Sequence, residues 1–374
     1  MRGRIAQRID AQSPNGQARA TTLELQRGTI QTPIFMPVGT VGTVKGLTSA
    51  AVQSTGAQII LGNTYHLYLR PGTEVLNRFG GLHRFMDWSG PILTDSGGYQ
   101  FFSLRQFTKT TDDGVQFRSH IDGSKHLFTP EKVIEIQAAI DSDIMMVLDD
   151  CPALPATPKR LAEALRRTTL WARRSVEAAA EVRGALFGIV QGGTDVRLRL
   201  AHLAELSVLP FDGLALGGLA VGEAPAEMYE TLASVAPQMP VNRPRYLMGV
   251  GRPQDLIEAI HCGIDMFDCV MPTRNARNGQ VFTRFGKLNL RNARFAGMDA
   301  PMDPTCSCTA CSRLSVGYMH HLFRAGEMLG PILATEHNLS YYLRLVGEAR
   351  QAILEDRWDS FRSRCYQDWG GESC

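Results

Sequence analysis

The chain has 374 residues, 44% of them hydrophobic and 20% charged, with a formal net charge of +2. This is the composition of a soluble globular protein, long enough for one large domain or two modest ones. No apolar run approaches the roughly 20 residues a membrane helix needs, so a membrane-spanning chain is not expected. The N-terminal Met1-Arg2-Gly3-Arg4-Ile5 has no long apolar stretch behind its basic residues, so no secretory signal is expected either. Eight cysteines in a chain of this length do not suggest a disulfide scaffold. Three are clustered, while Cys151, Cys262, Cys269, Cys365 and Cys374 are scattered, which points to a reducing cytoplasm and one metal site.

Taken in order, eight short apolar runs recur, each ending in polar or Gly-rich residues: 33–38, 58–62, 91–95, 143–150, 185–191, 213–218, 245–250 and 266–270. Near-continuous apolar runs of this length read as strands buried on both faces. Helical patterns lie between them, at 47–56, 158–181, 195–206 and 225–236. Thr129-Pro130-Glu131 is an N-cap with proline at the first helical position, followed by Val133, Ile136 and Ile140 on one face. Residues 252–263 begin with Pro253, carry Leu256 and Ile260 on one face and stop at Gly263. Strand–helix alternation repeated eight times predicts an α/β fold of the (β/α)8 TIM-barrel type, with a doubly wound open sheet as the alternative. The Gly-rich stretch 213–222 spells neither a phosphate loop nor a dinucleotide fingerprint.

Two excursions interrupt the alternation. Residues 101–128 are a polar insert with turn signals at Asp113-Gly114 and Asp122-Gly123. Residues 273–336 form a longer one after the eighth strand, followed by a helical tail from about His337. Between Thr273 and Arg324 eight basic side chains face only two acids, a local charge of +6, which suggests a polyanionic partner; the alternative is a solvated face. The whole is read as one catalytic domain, 1–374, carrying a basic, metal-binding insertion at 273–337.

Barrel active sites lie at the C-terminal ends of the strands. Reading those ends gives Asp95-Ser96-Gly97-Gly98-Tyr99, Asp149-Asp150, Gln191, Gly217-Gly218-Leu219, Met248-Gly249 and Asp268: a polar floor for a small planar ligand. Asp268 interrupts the apolar run 266–270, and burying an unpaired carboxylate is costly. It is therefore either a strand end tied to a cation or water, or a nucleophile or acid/base at the mouth of a site. Paired with Asp95 across a barrel mouth, it would suit displacement at a sugar carbon, one carboxylate attacking and the other moving protons. Asp149-Asp150 is a second pair in which one pKa should be driven up, or either could accept hydrogen bonds from a ligand's amino groups.

Cys306-x-Cys308-x-x-Cys311 can converge on one tetrahedral ion. His320, His321 and His337 compete for the fourth place. His337 is favoured, because His320 and His321 lie in an apolar, helix-like stretch while His337 is expected to open the tail helix. Three thiolates and one histidine close the coordination shell, so zinc here is expected to be structural, one per chain.

The motifs LGNTYHL, ILTDSGGYQ, GGLAVGE, RYLMGVG, DMFDCVMPTRNARNG and CSC-TAC, spread from about residue 32 to about 344, together resemble the bacterial tRNA-guanine transglycosylases, also called queuine tRNA-ribosyltransferases. The resemblance implies a zinc-containing (β/α)8 barrel. It implies exchange of the guanine at the wobble position of GUN anticodons for a 7-deazaguanine base, preQ1 in bacterial members. Asp268 falls at the family's nucleophile and Asp95 at its general acid/base. Asp149, Gln191, Gly218 and Leu219 fall where the family binds the base, with Ser96, Gly97 and Gly98 beside them and Tyr99 and Met248 sandwiching the ring. Gly249, Val250, Gly251, Arg252, Pro253, Gln254 and Asp255 match one RNA-contacting segment; Thr273, Arg274, Asn275, Ala276 and Arg277 match the other. Cys306, Cys308, Cys311 and His337 match its zinc ligands, and a homodimer is implied. Asp150 departs from the family's usual glutamate. Val221 stands where eukaryotic members, which take the bulkier queuine, have glycine, and Cys151 where they have valine. No segment resembles the extra C-terminal RNA-binding domain of archaeal relatives that act elsewhere on tRNA. Two other readings compete: a barrel glycoside hydrolase, which the aromatic-poor strand ends disfavour, and a non-catalytic RNA-binding zinc protein, which the presence of both Asp95 and Asp268 disfavours.

Overall fold

A computed structural model describes residues 5–98 and 108–370. The apolar runs form a parallel barrel. Its first strand is cut by Pro37, which lacks an N–H, into Ile34–Met36 and Val38–Gly39. The second half pairs with Ile60–Gly62, and pairing continues in chain order through Ile92–Thr94, Ile144–Met146, Ala185–Val190, Gly213–Leu216, Arg245–Leu247 and Met266–Asp268. That eighth strand returns to the first half, with Met266, Phe267 and Asp268 opposite Ile34, Phe35 and Met36, so the sheet closes on itself. The strands are shorter than the apolar runs predict. Asp149 and Asp150 lie beyond Ile144–Met146, because the mouth loops leave the ladder before the apolar pattern ends.

The expected helices are present, several with side-chain caps. Thr129 accepts from the Lys132 N–H at the head of Pro130–Ile140. Thr157 does the same for Pro158–Ala178, and Asp195 for Val196–Ser207. Between the second and third strands the chain makes three short helices, Thr64–Leu69, Thr73–Phe79 and Leu82–Met86, that the sequence pattern does not reveal. The insert at 101–128 contains a three-stranded antiparallel sheet, Thr108–Thr110, Val115–Arg118 and Lys125–Phe128, turning at the two Asp-Gly signals. A second unexpected sheet, Ala6–Gln12, Arg19–Leu25 and Gly28–Thr32, covers the N-terminal ends of the last barrel strands. It is tied there by the buried Arg19–Asp265 pair (2.6 Å), while Asp265 also accepts from the Arg245 N–H (2.7 Å).

One correction concerns the tail. Its helix spans Leu329–Leu354 and begins eight residues before His337, because Pro331 sits in its first turn, where a missing N–H costs nothing. Tyr342 of this helix packs on Phe35 of the first strand at 4.9 Å between ring centroids. Residues of the 273–336 excursion, among them Val281, Leu290, Phe295, Val316, Met319 and Phe323, gather into a hydrophobic cluster of their own against this helix.

Candidate active site and metal centre

At the C-terminal ends of the strands lies a cavity of about 340 Å³. Asp95, Ser96, Gly98, Asp149, Gln191, Gly218, Leu219, Met248, Gly249 and Asp268 all line it. Gly97 does not, but its N–H supports the Asp95 carboxylate. Tyr99 lies outside the described residues.

Asp268 is the last residue of the eighth strand. Its Oδ1 accepts from the hydroxyl of Tyr246 (2.5 Å), on the neighbouring strand, and from the Gly249 N–H (2.7 Å). Oδ2 is left without a donor among the described residues. Burial raises the pKa of Asp268, and the two donors oppose that rise. Asp95, just past the third strand, accepts from the Thr64 N–H (2.9 Å) and from the side-chain amide of Asn63. The orientation of that amide is fixed, because Asn63 Oδ1 caps the next helix by accepting from the His66 N–H (3.0 Å). Burial pushes Asp95 up to about 7, helped by the like charges of Asp268 and Asp149.

Asp149 accepts from Gln191 Nε2 (2.6 Å) and Ser96 Oγ (3.4 Å), and burial pushes it up to about 6. A Cβ on Gly98 would sit 2.3 Å from its Oδ1, so only glycine lets the backbone lie against this carboxylate. Gln191 Oε1 is buried without a partner among the described residues, an acceptor facing the cavity wall in need of a donor. The neighbouring Asp150 serves a different purpose. It turns to the helix Pro158–Ala178, pairs with Arg160 and Arg167, and takes no part in the cavity. The Asp149-Asp150 pair is thus one cavity carboxylate and one anchor.

Sequence reasoning missed several cavity residues. Tyr246 is fully buried inside a strand, and a buried phenol needs a partner for its hydroxyl. That rule would have pointed to it. Asn63 and His66 follow the second strand, whose end the reading of strand termini passed over. Cys151 and Cys269 also line the cavity; burial pushes both thiols up to about 12, so they stand there protonated.

The metal-ligand cluster assembles as expected. The ligand atoms of Cys306, Cys308, Cys311 and His337 all lie within 4.8 Å of one another. A tetrahedral zinc–thiolate site spaces its sulfurs about 3.8 Å apart, so this donor set fits one ion. His337 Nε2 donates to the Phe282 carbonyl (2.8 Å), which leaves Nδ1 to face the sulfurs at 3.3 and 3.4 Å. Its neighbour Asn338 accepts from the Phe282 N–H (2.9 Å) and donates to the carbonyls of Pro272 (2.9 Å) and Gln280 (3.1 Å). His320 instead bonds the Leu290 carbonyl (2.8 Å) and His321 stacks on Tyr318, so neither joins the cluster.

A family model described as queuine tRNA-ribosyltransferase matches residues 13–371. Proteins named queuine tRNA-ribosyltransferase are similar over nearly the whole length. That of Gluconacetobacter diazotrophicus is 53% identical over 355 residues, covering 95% of this chain and 92% of its own. That of Sphingopyxis alaskensis is 52% identical over 368 residues, covering 97% and 98%. That of Vibrio campbellii is 50% identical over 366 residues, covering 97% of each. The chain belongs to the queuine tRNA-ribosyltransferase family.

It is therefore a member of a transferase family that acts on tRNA. Of the two RNA-contacting segments implied by resemblance, the first is largely engaged within the protein. Val250, Pro253 and Asp255 are buried, and the Gly251 carbonyl accepts from Tyr342 (3.0 Å). Arg252 pairs with Asp255 (2.8 Å), which also accepts from the Arg252 N–H (2.7 Å), and Gln254 Oε1 is buried without a partner among the described residues. In the second segment, the helix Met271–Arg277, Thr273 and Ala276 point inward and Asn275 bonds Gln280 (2.8 Å). Arg274 is exposed and Arg277 part-buried, and neither has an ion-pair partner among the described residues. Neutralising both is expected to weaken tRNA binding and to lower the slope of log K against log salt by about 1 for each phosphate no longer neutralised. Titrations between low and physiological salt check this; unchanged affinity and slope would remove these arginines from the RNA face.

Proposed function

We propose that this chain exchanges the guanine at the wobble position of GUN-anticodon tRNAs for preQ1, by two displacements at C1′ of the ribose. The observation that carries the reading is the meeting of Asp268, Asp95 and the Asp149–Gln191 pair around one cavity. Asp268 Oδ2 attacks C1′ as the C1′–N9 bond breaks, and guanine leaves with a proton relayed by Asp95. The incoming base gives its N9 proton to Asp95 and attacks C1′, which expels Asp268 and gives net retention. An acid/base near neutrality contributes about 10²–10⁴-fold in such steps. Tyr246 and the Gly249 N–H hold Asp268 by Oδ1 and leave Oδ2 to react. Asp149 takes the N–H donors of the base edge, Met248 flanks the ring, and the loop nucleotide must unstack to reach the cavity. One glycosidic C–N bond replaces another, so this reading calls for no redox or nucleotide cofactor.

In the same reading, Cys306, Cys308, Cys311 and His337 hold a zinc ion that braces residues 273–337, an insertion within a single catalytic domain. The protein works in the cytoplasm as a homodimer; no helix among the described residues is long and apolar enough to cross a membrane.

Choice of base is expected to rest on Val221, which lines the cavity. Its side chain occupies room that the cyclopentenediol of queuine would need. Surplus atoms in a packed site cost ~1–3 kcal/mol, or roughly tenfold to over a hundredfold in preference. Values of kcat/KM should therefore favour preQ1 strongly, and Val221→Gly should narrow the gap. Equal use of both bases by the unaltered protein would overturn this part of the proposal.

A further inference from the structure

The helix Val196–Ser207 carries a buried cation that none of the roles above employs. Arg199 is 0% exposed, and no carboxylate bonds it among the described residues. It is held by four backbone carbonyls instead. Nε donates to Gly193 (2.6 Å), Nη1 to Val190 (3.1 Å), and Nη2 to Gly217 (2.9 Å) and Gly218 (3.2 Å). Burial brings its pKa down to about 10, which leaves it charged at neutral pH. Arg199 does not line the cavity, but Gly217, Gly218 and Leu219 do.

The two peptides after Gly217 and Gly218 are trans, so each N–H points opposite to its C=O. With both carbonyls turned onto Arg199, the N–H groups of Gly218 and Leu219 face away from it, towards the cavity. Neither has an acceptor among the described residues. The local backbone has little freedom to turn otherwise. Gly218 stands at φ +62°, and a Cβ there would lie 2.3 Å from Gln191 Oε1. A positive charge behind aligned peptide dipoles makes the far N–H groups stronger donors, the same physics that serves an oxyanion hole.

We propose that Arg199 is a positioning residue, which sets and polarises the N–H groups of Gly218 and Leu219 to receive the carbonyl of the bound base. This rests on the reading of the cavity as a base site. Guanine offers complementary chemistry: a carbonyl for these donors, with N–H groups left for the Asp149 carboxylate.

The test compares the unaltered protein with Arg199→Met, similar in length but uncharged, and with Arg199→Lys. The probes are guanine and 2-aminopurine, which keeps the rings and the 2-amino group but lacks the carbonyl. Arg199→Met is expected to weaken guanine binding by about tenfold or more, the scale of a lost charge-assisted donor. It should leave 2-aminopurine binding within about twofold, and Arg199→Lys should retain more guanine affinity than Arg199→Met. Equal losses for the two probes would mean a merely structural role and would overturn the proposal, as would no loss at all, or a lysine variant no better than the methionine one. An unaltered protein that binds no guanine would overturn the base-site reading itself.

Discussion

Asp268→Asn is expected to abolish base exchange, by about 10⁴-fold or more, the scale seen when a covalent nucleophile is removed. The substitution is mild structurally. Tyr246 and the Gly249 N–H both bond Oδ1, and an asparagine oxygen accepts from both. What it removes is the second oxygen, which has no donor among the described residues. No covalent RNA adduct should then survive a denaturing gel, whereas the unaltered protein should give one. The same variant should be the more stable protein at alkaline pH. Burial raises the Asp268 pKa, so the folded state holds this proton to higher pH than the unfolded chain does. Stability from that group is fully present below the unfolded pKa and is lost as pH rises through the folded one. Removing the ionisable group therefore raises the melting temperature at pH 8 and changes it little at pH 4. An adduct that persists in Asp268→Asn would take the nucleophile's role away from this residue.

Cys308→Ser is expected to cost the protein both its metal and the order of residues 273–336. Zinc binding is worth about 10–16 kcal/mol in small zinc modules, comparable to the whole stability of a typical domain. The excursion has a hydrophobic cluster of its own, but Cys306, Cys308 and Cys311 are part of it. The loss should not stay local. His337 and Asn338 grip the strand Gln280–Thr283, and Tyr342 of the same helix holds the Gly251 carbonyl beside the cavity. Loss of metal should therefore lower the melting temperature by about 10 °C or more and depress activity with it. Metal content, melting and exchange rate measured together decide the matter. A metal-free variant with unchanged melting and full activity would show that the cluster braces nothing.

The barrel was legible because strands buried on both faces read as unbroken apolar runs, and each ends in a chemically conspicuous loop. The N-terminal sheet was not. Its first strand, Ala6–Gln12, is mostly exposed and carries no apolar period, and one of its ties to the barrel is the Arg19–Asp265 pair, whose partners stand 246 residues apart. The three short helices after Gly62 were missed for want of length. Within the site, the carboxylates were visible because a charge inside an apolar run demands a reason. Tyr246 and Asn63 were not, since each acts through a hydrogen bond that exists only once two neighbouring strands have paired. His337 was found for a partly mistaken reason: it lies inside a helix, not at its start, and the Phe282 carbonyl, far away in sequence, is what aims its ring. Asp150 shows the reverse case. Its place beside Asp149 suggested shared chemistry, but Arg160 and Arg167 on the following helix draw it out of the cavity.

The most direct test of the account is incorporation of labelled guanine into unmodified tRNA. With the purified protein and a GUN-anticodon tRNA, label should enter the RNA at the wobble position and be chased out by preQ1. A tRNA without guanine at that position should stay unlabelled. No incorporation, label at another position, or label that preQ1 cannot displace would contradict the exchange reaction proposed for this cavity.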